Sequence, residues 1–265
     1  MKKTISIALL LLTALGARTQ NIQEMYDFGR GHLTTTLEMY KGDKWGGTFW
    51  FVDIYHNNHA SWPTDYYTEF SRSINLWQNT RLAPLSLHVE WNGGVGYPVG
   101  YDKTLRSYYT YQYPVCNTWL LGVEYFMHNS DFSKTLTLQV LYRTKRPFRV
   151  GGAVGTNVVS NVPMQLTAVW ELKDIFGVKG LAFSGFADFW WENRNWDNPA
   201  LATDPTAPLY LTTATTFTTE PQLWYNVGQL FGCENLMVGG EVELNHDFFD
   251  RGWKAYPCAG IKWVF

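Results

Sequence analysis

The chain has 265 residues, with 21 lysines and arginines against 23 aspartates and glutamates, and a formal net charge of -2. This balance excludes the strongly basic surface typical of nucleic-acid binding, and the length fits one domain. The three cysteines, Cys116, Cys233 and Cys258, are widely spaced and form neither a disulfide framework nor a CxxC metal motif. The composition therefore predicts no cofactor and no metal site, and no nucleic acid as a partner.

The first twenty residues have the pattern of a secretory signal peptide. Two lysines precede an apolar run at 5–15, and small residues follow it. That run is too short for a transmembrane helix, which needs ~20 apolar residues, and no later stretch reaches this length without a charge or a glycine. We predict that 1–20 is cleaved and that 21–265 forms a single domain.

Segments with the period of a β-strand follow in chain order, each with one apolar and one polar face. In the segment that begins at Leu85, for example, Leu85, Leu87, Val89 and Trp91 alternate with Ser86, His88, Glu90 and Asn92. Comparable alternation occurs at 33–40, 49–55, 119–126, 135–143, 165–172, 181–192, 217–226 and 238–245. With a weak first strand near 22–30 and a closing strand that ends on Phe265, the pattern predicts about twelve strands.

The alternation alone fits a soluble β-sandwich that binds carbohydrate as well as a transmembrane β-barrel, because both separate apolar from charged faces. The connections favour the barrel. Short turns such as "KGDKW", "QNTR" and "HNSDFS" alternate with longer links, at 94–115, 145–162 and 193–212 among others. We therefore predict an antiparallel outer-membrane barrel with short periplasmic turns and longer outer loops. Arg72 is the exception to the sorting of charges, since it shares the parity of Phe70 and Ile74, and a bulge or an interfacial position would accommodate it.

Several segments follow one another in a characteristic order: "KGDKW", "FWFVDI", "YYTEFSRSINL", "LSLHVEWNGG" and the terminal "WKAYPCAGIKWVF". This order resembles the Tsx-like family of nucleoside-specific outer-membrane channels. The chain also looks like a related uncharacterised family of Gram-negative anaerobes with similar "YDFGR", "TTLEM" and "VEWNGG" stretches. The resemblance implies a narrow, monomeric barrel that passes nucleosides or comparable small polar solutes.

The face opposite the apolar side chains is rich in acids, which would disfavour anions and favour cations or neutral polar solutes. Aromatic residues on the same face could stack on a base or sugar while carboxylates accept its hydrogen bonds. The inward-facing acids are predicted to be Glu38, Asp53, Glu69, Glu90, Glu124, Glu171, Asp188, Glu192, Glu220, Glu241 and Glu243, against the bases Arg143 and Lys262. The candidate solute-binding residues are Asp53, Glu69, Glu90, Phe49, Phe51, Glu38 and Glu124. For each acid alone, a structural role in bracing the interior is the more common explanation.

We expect a passive outer-membrane channel for small polar solutes, with outer-membrane lipid and the barrel-assembly machinery as further partners, the latter through the C-terminal strand. One alternative is a plugged barrel that acts through its long outer loops as a surface-binding protein. The other is a lipid-modifying enzyme, for which His88, His128 and His246 with Ser86 or Ser184 are the available residues. His88, His128 and Ser184 share the inward parity, and neither HExxH nor GxSxG occurs, so no catalytic residue is predicted.

Overall fold

The computed structural model describes residues 20–56, 63–96, 99–102, 104, 106–110, 113–145 and 162–265. Nearly all of the predicted signal peptide, most of the predicted loop at 145–162, and Cys116's side chain lie outside this description. No helix in the described ranges is long and apolar enough to cross a membrane. The helical structure in these ranges consists of three short 3-10 turns, at Ile175–Gly177, Pro199–Ala202 and Val227–Phe231.

The described chain is built from antiparallel β-strands. Their bounds are β1 Gln20–Asp27, β2 His32–Asp43, β3 Gly46–His56, β4 Pro63–Ile74, β5 Leu85–Gly96, β6 Val99–Asp102, β7 Ser107–Thr110, β8 Tyr113–His128, β9 Lys134–Lys145, β10 Met164–Leu172, β11 Leu181–Asp197, β12 Tyr210–Thr219, β13 Gln222–Tyr225, β14 Leu236–His246 and β15 Trp253–Val264. β1 begins at Gln20, the last residue of the predicted leader.

The sheet closes on itself as a barrel. Successive strands of the barrel pair with one another, and β1 also pairs with β15, from Asn21 opposite Val264 to Asp27 opposite Cys258. β12 and β13 both lie between β11 and β14, so they are one strand interrupted at Glu220 and Pro221. The barrel therefore has twelve strands, which confirms the predicted fold class, while β6 and β7 form a separate hairpin between β5 and β8.

The barrel has two different ends. We call the end with the chain termini the terminal end and the opposite end the distal end. The distal connections include the long segments 97–112, 146–163 and 198–209, whereas the terminal-end connections include the tight turn at 44–45. The alternation of connection lengths is less regular than predicted, because the "QNTR" turn belongs to a longer connection at 75–84, and β11 continues to Asp197 inside the predicted 193–212 loop.

The two faces of the barrel wall differ in the way that the alternation predicts. Apolar side chains such as Leu138, at 46% exposure, and Ile261, at 53%, cover the outward face. The inward face carries polar side chains that form hydrogen bonds with one another; for example, the Thr218 hydroxyl donates to the Asn245 side chain at 2.6 Å. A few apolar side chains also fill the interior, where Leu120 and Leu141 are fully buried.

Some ionisable side chains, Arg72 and Glu24 among them, depart from this sorting. Arg72 projects toward the terminal-end turn, where its guanidinium donates to Asp43 at 2.8 Å and to Thr48 at 2.9 Å, so these two partners at the end of the barrel accommodate it. Glu24 shares the outward parity because its strand neighbours Gln23 and Met25 are buried in the interior. Sequence reasoning assigned no faces to β1 and therefore missed this second exception.

The C-terminal residue joins the two strands that close the barrel. The Phe265 amide donates to the Gln20 carbonyl at 2.9 Å, and the Val264 amide donates to Asn235 at 2.9 Å. Deleting Phe265 removes the first of these bonds and the terminal aromatic group. We predict a several-fold loss of folded barrel, measured as the heat-modifiable band of membrane fractions, whereas the control Phe132→Ala in a terminal-end turn should fold normally. Normal insertion of the deletion variant would contradict a role of this terminus in assembly.

Candidate functional site

The interior contains a cavity of about 550 Å³ toward the distal end. Its walls come from the inward faces of strands on opposite sides of the barrel, and its mouth is formed by residues of the distal connections, including Arg30, Gly31, Phe248 and Phe249. Ligand pockets in proteins are usually ~300–1,000 Å³. The cavity is therefore large enough for one small solute.

Carboxylates dominate the charge of this cavity. Its lining contains the six acids Asp53, Asp65, Glu69, Asp188, Glu220 and Glu243, and the two arginines Arg30 and Arg143. Within the described ranges, no three His, Cys, Asp or Glu side chains are placed to hold a metal ion. The cavity consequently presents several separate hydrogen-bond acceptors and an excess of negative charge.

Hydroxyl groups hold most of these acids in place along the wall. Thr36 donates to Asp53 at 2.6 Å, Tyr67 donates to Glu69 at 2.7 Å, and Thr167 donates to Asp188. Each of these donors lies on the strand beside its acid or two residues along the same strand. The periodic threonines and tyrosines of the inward face thus fix the carboxylates while leaving further acceptor capacity toward the cavity.

Three of the seven predicted binding residues line the cavity, namely Phe51, Asp53 and Glu69. Phe51 lies directly across from Glu69 in the β3–β4 pair, and its ring centroid is 5.9 Å from that of Tyr67. Tyr55, Phe186 and Trp190 add further aromatic surface to the lining. Aromatic faces and carboxylates therefore occur side by side, as the sequence predicts.

The other four predicted residues lie inside the barrel but outside the cavity lining. Glu124 and Glu90 bind the two ring nitrogens of the buried His88, at 2.8 Å and 3.1 Å, and so belong to a network in the wall. Glu38 accepts a hydrogen bond from Asn21 at 2.8 Å. The Phe49 ring centroid is 6.0 Å from that of Phe51 on the same strand. These positions correspond to the bracing role that sequence reasoning weighed against binding.

Arg30, in the tight turn after β1, is the main cation of the distal mouth. Its guanidinium donates to both carboxylate oxygens of Glu243, at 2.8 Å and 2.7 Å, and to Asp27 at 3.0 Å. It also lies 3.8 Å from the centroid of the Tyr256 ring. Burial alone would lower the pKa of Arg30, but the hydrogen bonds and charges of Glu243 and Asp27 raise it above its ordinary value. Arg30 therefore stays charged and links the first turn to β14 across the closing strands.

A protein-family model described as "Domain of unknown function (DUF5020)" matches residues 19–265. The chain belongs to the DUF5020 family. No curated protein matches it. Nothing in this match is specific to the Tsx-like family, so that resemblance remains a prediction.

Three solved structures are similar to this DUF5020 chain. The KdgM porin has a TM-score of 0.46 and 10% identity, over 93% of this chain and 99% of that one. Omp33, an outer membrane protein of Acinetobacter baumannii, has a TM-score of 0.38 and 8% identity, over 93% and 98%. OprB of Pseudomonas putida has a TM-score of 0.37 and 11% identity, over 89% of this chain and 59% of OprB. A likeness at these values carries no inference about function.

Several cavity residues of the DUF5020 chain were not among the predicted binding residues. Asp188, Glu220 and Glu243 are predicted to face inward and Asn92 lies on a predicted polar face, but neither they nor Arg30 are among the candidate binding residues. Asn92 is directly opposite Glu69 in the β4–β5 pair, and its buried side-chain oxygen has no hydrogen-bond partner among the residues that the structure describes. Its place on the polar face of "HVEWNGG" was a usable signal. For Arg30, in a turn, periodicity gives no orientation.

Proposed function

We propose that this DUF5020 protein is an outer-membrane β-barrel that acts as a passive channel for small polar solutes. The observation that carries the proposal is the combination of a closed barrel, an apolar outward face and a polar interior cavity that opens at the distal end. Membrane barrels have this distribution because every backbone polar group must be paired and the outward face must suit lipid. The predicted leader at 1–20 would direct such a chain out of the cytoplasm.

The charge of the cavity supports a selection of solutes by the sign of their own charge. Arg30 is already paired with Glu243 and Asp27. Most of the other lining carboxylates accept hydrogen bonds from hydroxyl groups and, among the described residues, have no cation as an ion-pair partner. Rings of carboxylates in a pore favour cations over anions. We infer that the channel passes cations and neutral polar solutes and disfavours anions.

Liposome swelling tests this proposal. Proteoliposomes that contain the mature protein are expected to swell in arabinose or adenosine faster than protein-free liposomes, and to swell several-fold more slowly in the gluconate anion than in arabinose. Equal rates for gluconate and arabinose would contradict the charge selection. No swelling above the protein-free control would contradict the channel.

Nucleosides are the solutes that we favour, since the resemblance to the Tsx-like family and the acidic, aromatic cavity both support them. A nucleobase stacked on an aromatic side chain gains ~1–3 kcal/mol. Phe51→Leu should therefore weaken block of the channel by adenosine by about tenfold, measured by titrating adenosine against ion current. Phe49→Leu is the matched control, because Phe49 has the same face and strand but lies outside the cavity lining. Equal effects of the two substitutions would contradict a base-stacking role for Phe51.

A plugged barrel that binds a surface partner is the second candidate. The fully buried Leu120 and Leu141 favour it because they fill part of the interior, and the distal β6–β7 hairpin offers a surface for such a partner. Replacing 97–112 by a short turn distinguishes the candidates. A channel keeps or increases its conductance after this change, whereas a loop-based binder loses its function.

We also propose that the protein is not an enzyme and that it is a monomer. His88 is held by Glu124 and Glu90 in the wall, and His128 stacks on Phe132 at 3.9 Å between centroids. Within the described ranges, neither imidazole is hydrogen-bonded to a serine hydroxyl, so the nucleophile-and-base pair of a hydrolase is not assembled from these residues. Unchanged channel activity after His88→Ala would agree with this assignment.

A further inference from the structure

The outward face of the barrel carries a chain of three hydrogen-bonded polar side chains on β1, β2 and β3. Thr35 is in the middle: its hydroxyl oxygen is 2.6 Å from a carboxylate oxygen of Glu24 and 2.9 Å from the Nε2 of His56. None of the three lines the interior cavity. We call this group the outward polar chain.

The surroundings of the outward polar chain are apolar. In the strand register Glu24 is flanked by Ile261 and Thr35, and Thr35 by Ile54. Ile261 is 53% exposed, and the nearby Leu33 is 43% exposed. These apolar neighbours would contact lipid in a membrane barrel, so the three polar groups lie within a lipid-facing surface.

The geometry fixes how protons are distributed along the outward polar chain. The Thr35 hydroxyl has one proton, and it is the natural donor to the Glu24 carboxylate. The contact between Thr35 and His56 is then favourable only if Nε2 of His56 carries a hydrogen and donates it to the hydroxyl oxygen. The order of donation is therefore His56 to Thr35 to Glu24, with the carboxylate as the final acceptor.

One oxygen of Glu24 is left without a donor from the described residues, because only its Oε2 accepts from Thr35. A carboxylate on the lipid side of a barrel destabilises the fold unless its charge is compensated. In an apolar medium, an acceptor without a hydrogen bond is costly, so a hydrogen bond from any available donor is strongly favourable. A membrane lipid whose polar group carries N–H or O–H donors would supply the hydrogen bond that this oxygen of Glu24 lacks. A hydrogen bond from such a donor to the Glu24 carboxylate would be charge-assisted and therefore among the stronger hydrogen bonds.

We propose that the outward polar chain is a binding site for a membrane lipid with a hydrogen-bond-donating polar group, held by the carboxylate of Glu24 and oriented through Thr35 and His56. The apolar side chains around it would pack against the acyl chains of the same lipid. This inference rests on the proposed membrane location and does not depend on channel activity.

The test is lipid retention by the intact mature protein in nanodiscs. Discs are made from equimolar phosphatidylethanolamine, which has N–H donors, and phosphatidylcholine, which has none, with identical acyl chains; lipids retained after transfer to detergent are counted by native mass spectrometry. The wild type should retain phosphatidylethanolamine about tenfold over phosphatidylcholine, as expected for one charge-assisted hydrogen bond. A second set of discs replaces phosphatidylethanolamine with ceramide and separates ammonium donors from amide and hydroxyl donors.

Glu24→Gln and Thr35→Val should each reduce this preference toward unity. Thr68→Val is the matched control: Thr68 has the same outward parity on β4, but its hydroxyl donates to the Phe51 carbonyl at 2.6 Å, so the preference should persist. Heat-modifiable migration and ion current, recorded for every variant, separate loss of folding or of channel activity from loss of lipid binding.

Either of two results overturns the proposal. The first is a wild type that shows no preference for either donor lipid, or a preference that both variants keep. The second is a dimer that Glu24→Gln and Thr35→Val dissociate, since the chain would then contact a second copy. A preference for ceramide alone supports the site and assigns its ligand to amide and hydroxyl donors.

Discussion

Replacing Asp53 by Asn, Glu69 by Gln and Asp188 by Asn in one variant is expected to remove most of the cation preference that we propose for this barrel. All three carboxylates line the same cavity, and each keeps a neighbouring hydroxyl partner after the change to an amide. A charge close to the ion path contributes on the order of 1 kcal/mol even when water screens it. We therefore expect the permeability ratio of K⁺ over Cl⁻, obtained from reversal potentials in a KCl gradient, to fall by about tenfold or more.

The control for this variant changes the same number of acids outside the barrel wall. Asp131, Asp174 and Asp204 lie in connecting segments, so replacing each by Asn removes the same number of negative charges as the cavity variant does. The permeability ratio should stay close to the wild-type value. If the two triple variants change the ratio to the same extent, selectivity arises from the overall charge and not from the cavity.

Arg30→Met is expected to destabilise the barrel by about 2–3 kcal/mol. The substitution leaves Glu243, whose side chain is 12% exposed, without its bidentate partner, and an unpaired buried charge is strongly unfavourable. Part of the effect is screened by solvent, because the Arg30 side chain is 27% exposed. The free energy of unfolding can be measured by urea titration in detergent micelles, with tryptophan fluorescence as the signal.

A second arginine of the same barrel provides the comparison. Arg72 forms a single ion pair with Asp43, whose side chain is 45% exposed, and exposed pairs contribute ~0–1 kcal/mol. Arg72→Met should therefore change the stability by less than about 1 kcal/mol. Adding Glu243→Met to Arg30→Met should recover part of the loss, since the buried charge of Glu243 is then removed and only that of Asp27 remains without Arg30. Equal destabilisation by Arg30→Met and Arg72→Met would contradict the role of burial.

The sequence predicts the barrel well because a strand has a period of two. Charges and apolar groups separate along β5 and β9, for example, so the direction of Glu90 or Leu138 follows from parity alone. The same reasoning places Asp53 and Glu69 on the inward face. Strand periodicity does not give the height of a residue along the barrel axis, which depends on tilt and stagger. That is why Phe51 lines the cavity and Phe49, on the same face, does not.

Residues in turns and in the first strand were the least predictable. Arg30 reaches Glu243, far away in sequence, only because β1 pairs with β15 and closes the barrel. Glu24 lies in β1, where both parities mix polar and apolar residues, with Glu24 beside Ile22 and Met25 beside Gln23, so the alternation gives no direction. The outward polar chain also joins three strands, and the hydrogen bonds of Thr35 depend on strand register, which a single sequence does not specify.

Single-channel current of the purified mature protein in a planar bilayer tests the central claim most directly. A channel predicts discrete openings, selectivity for K⁺ over Cl⁻, and a saturable decrease of the current when adenosine is added. A folded, heat-modifiable barrel that produces no openings would contradict the channel. It would mean that the interior is plugged, and would leave the distal connections as the functional surface.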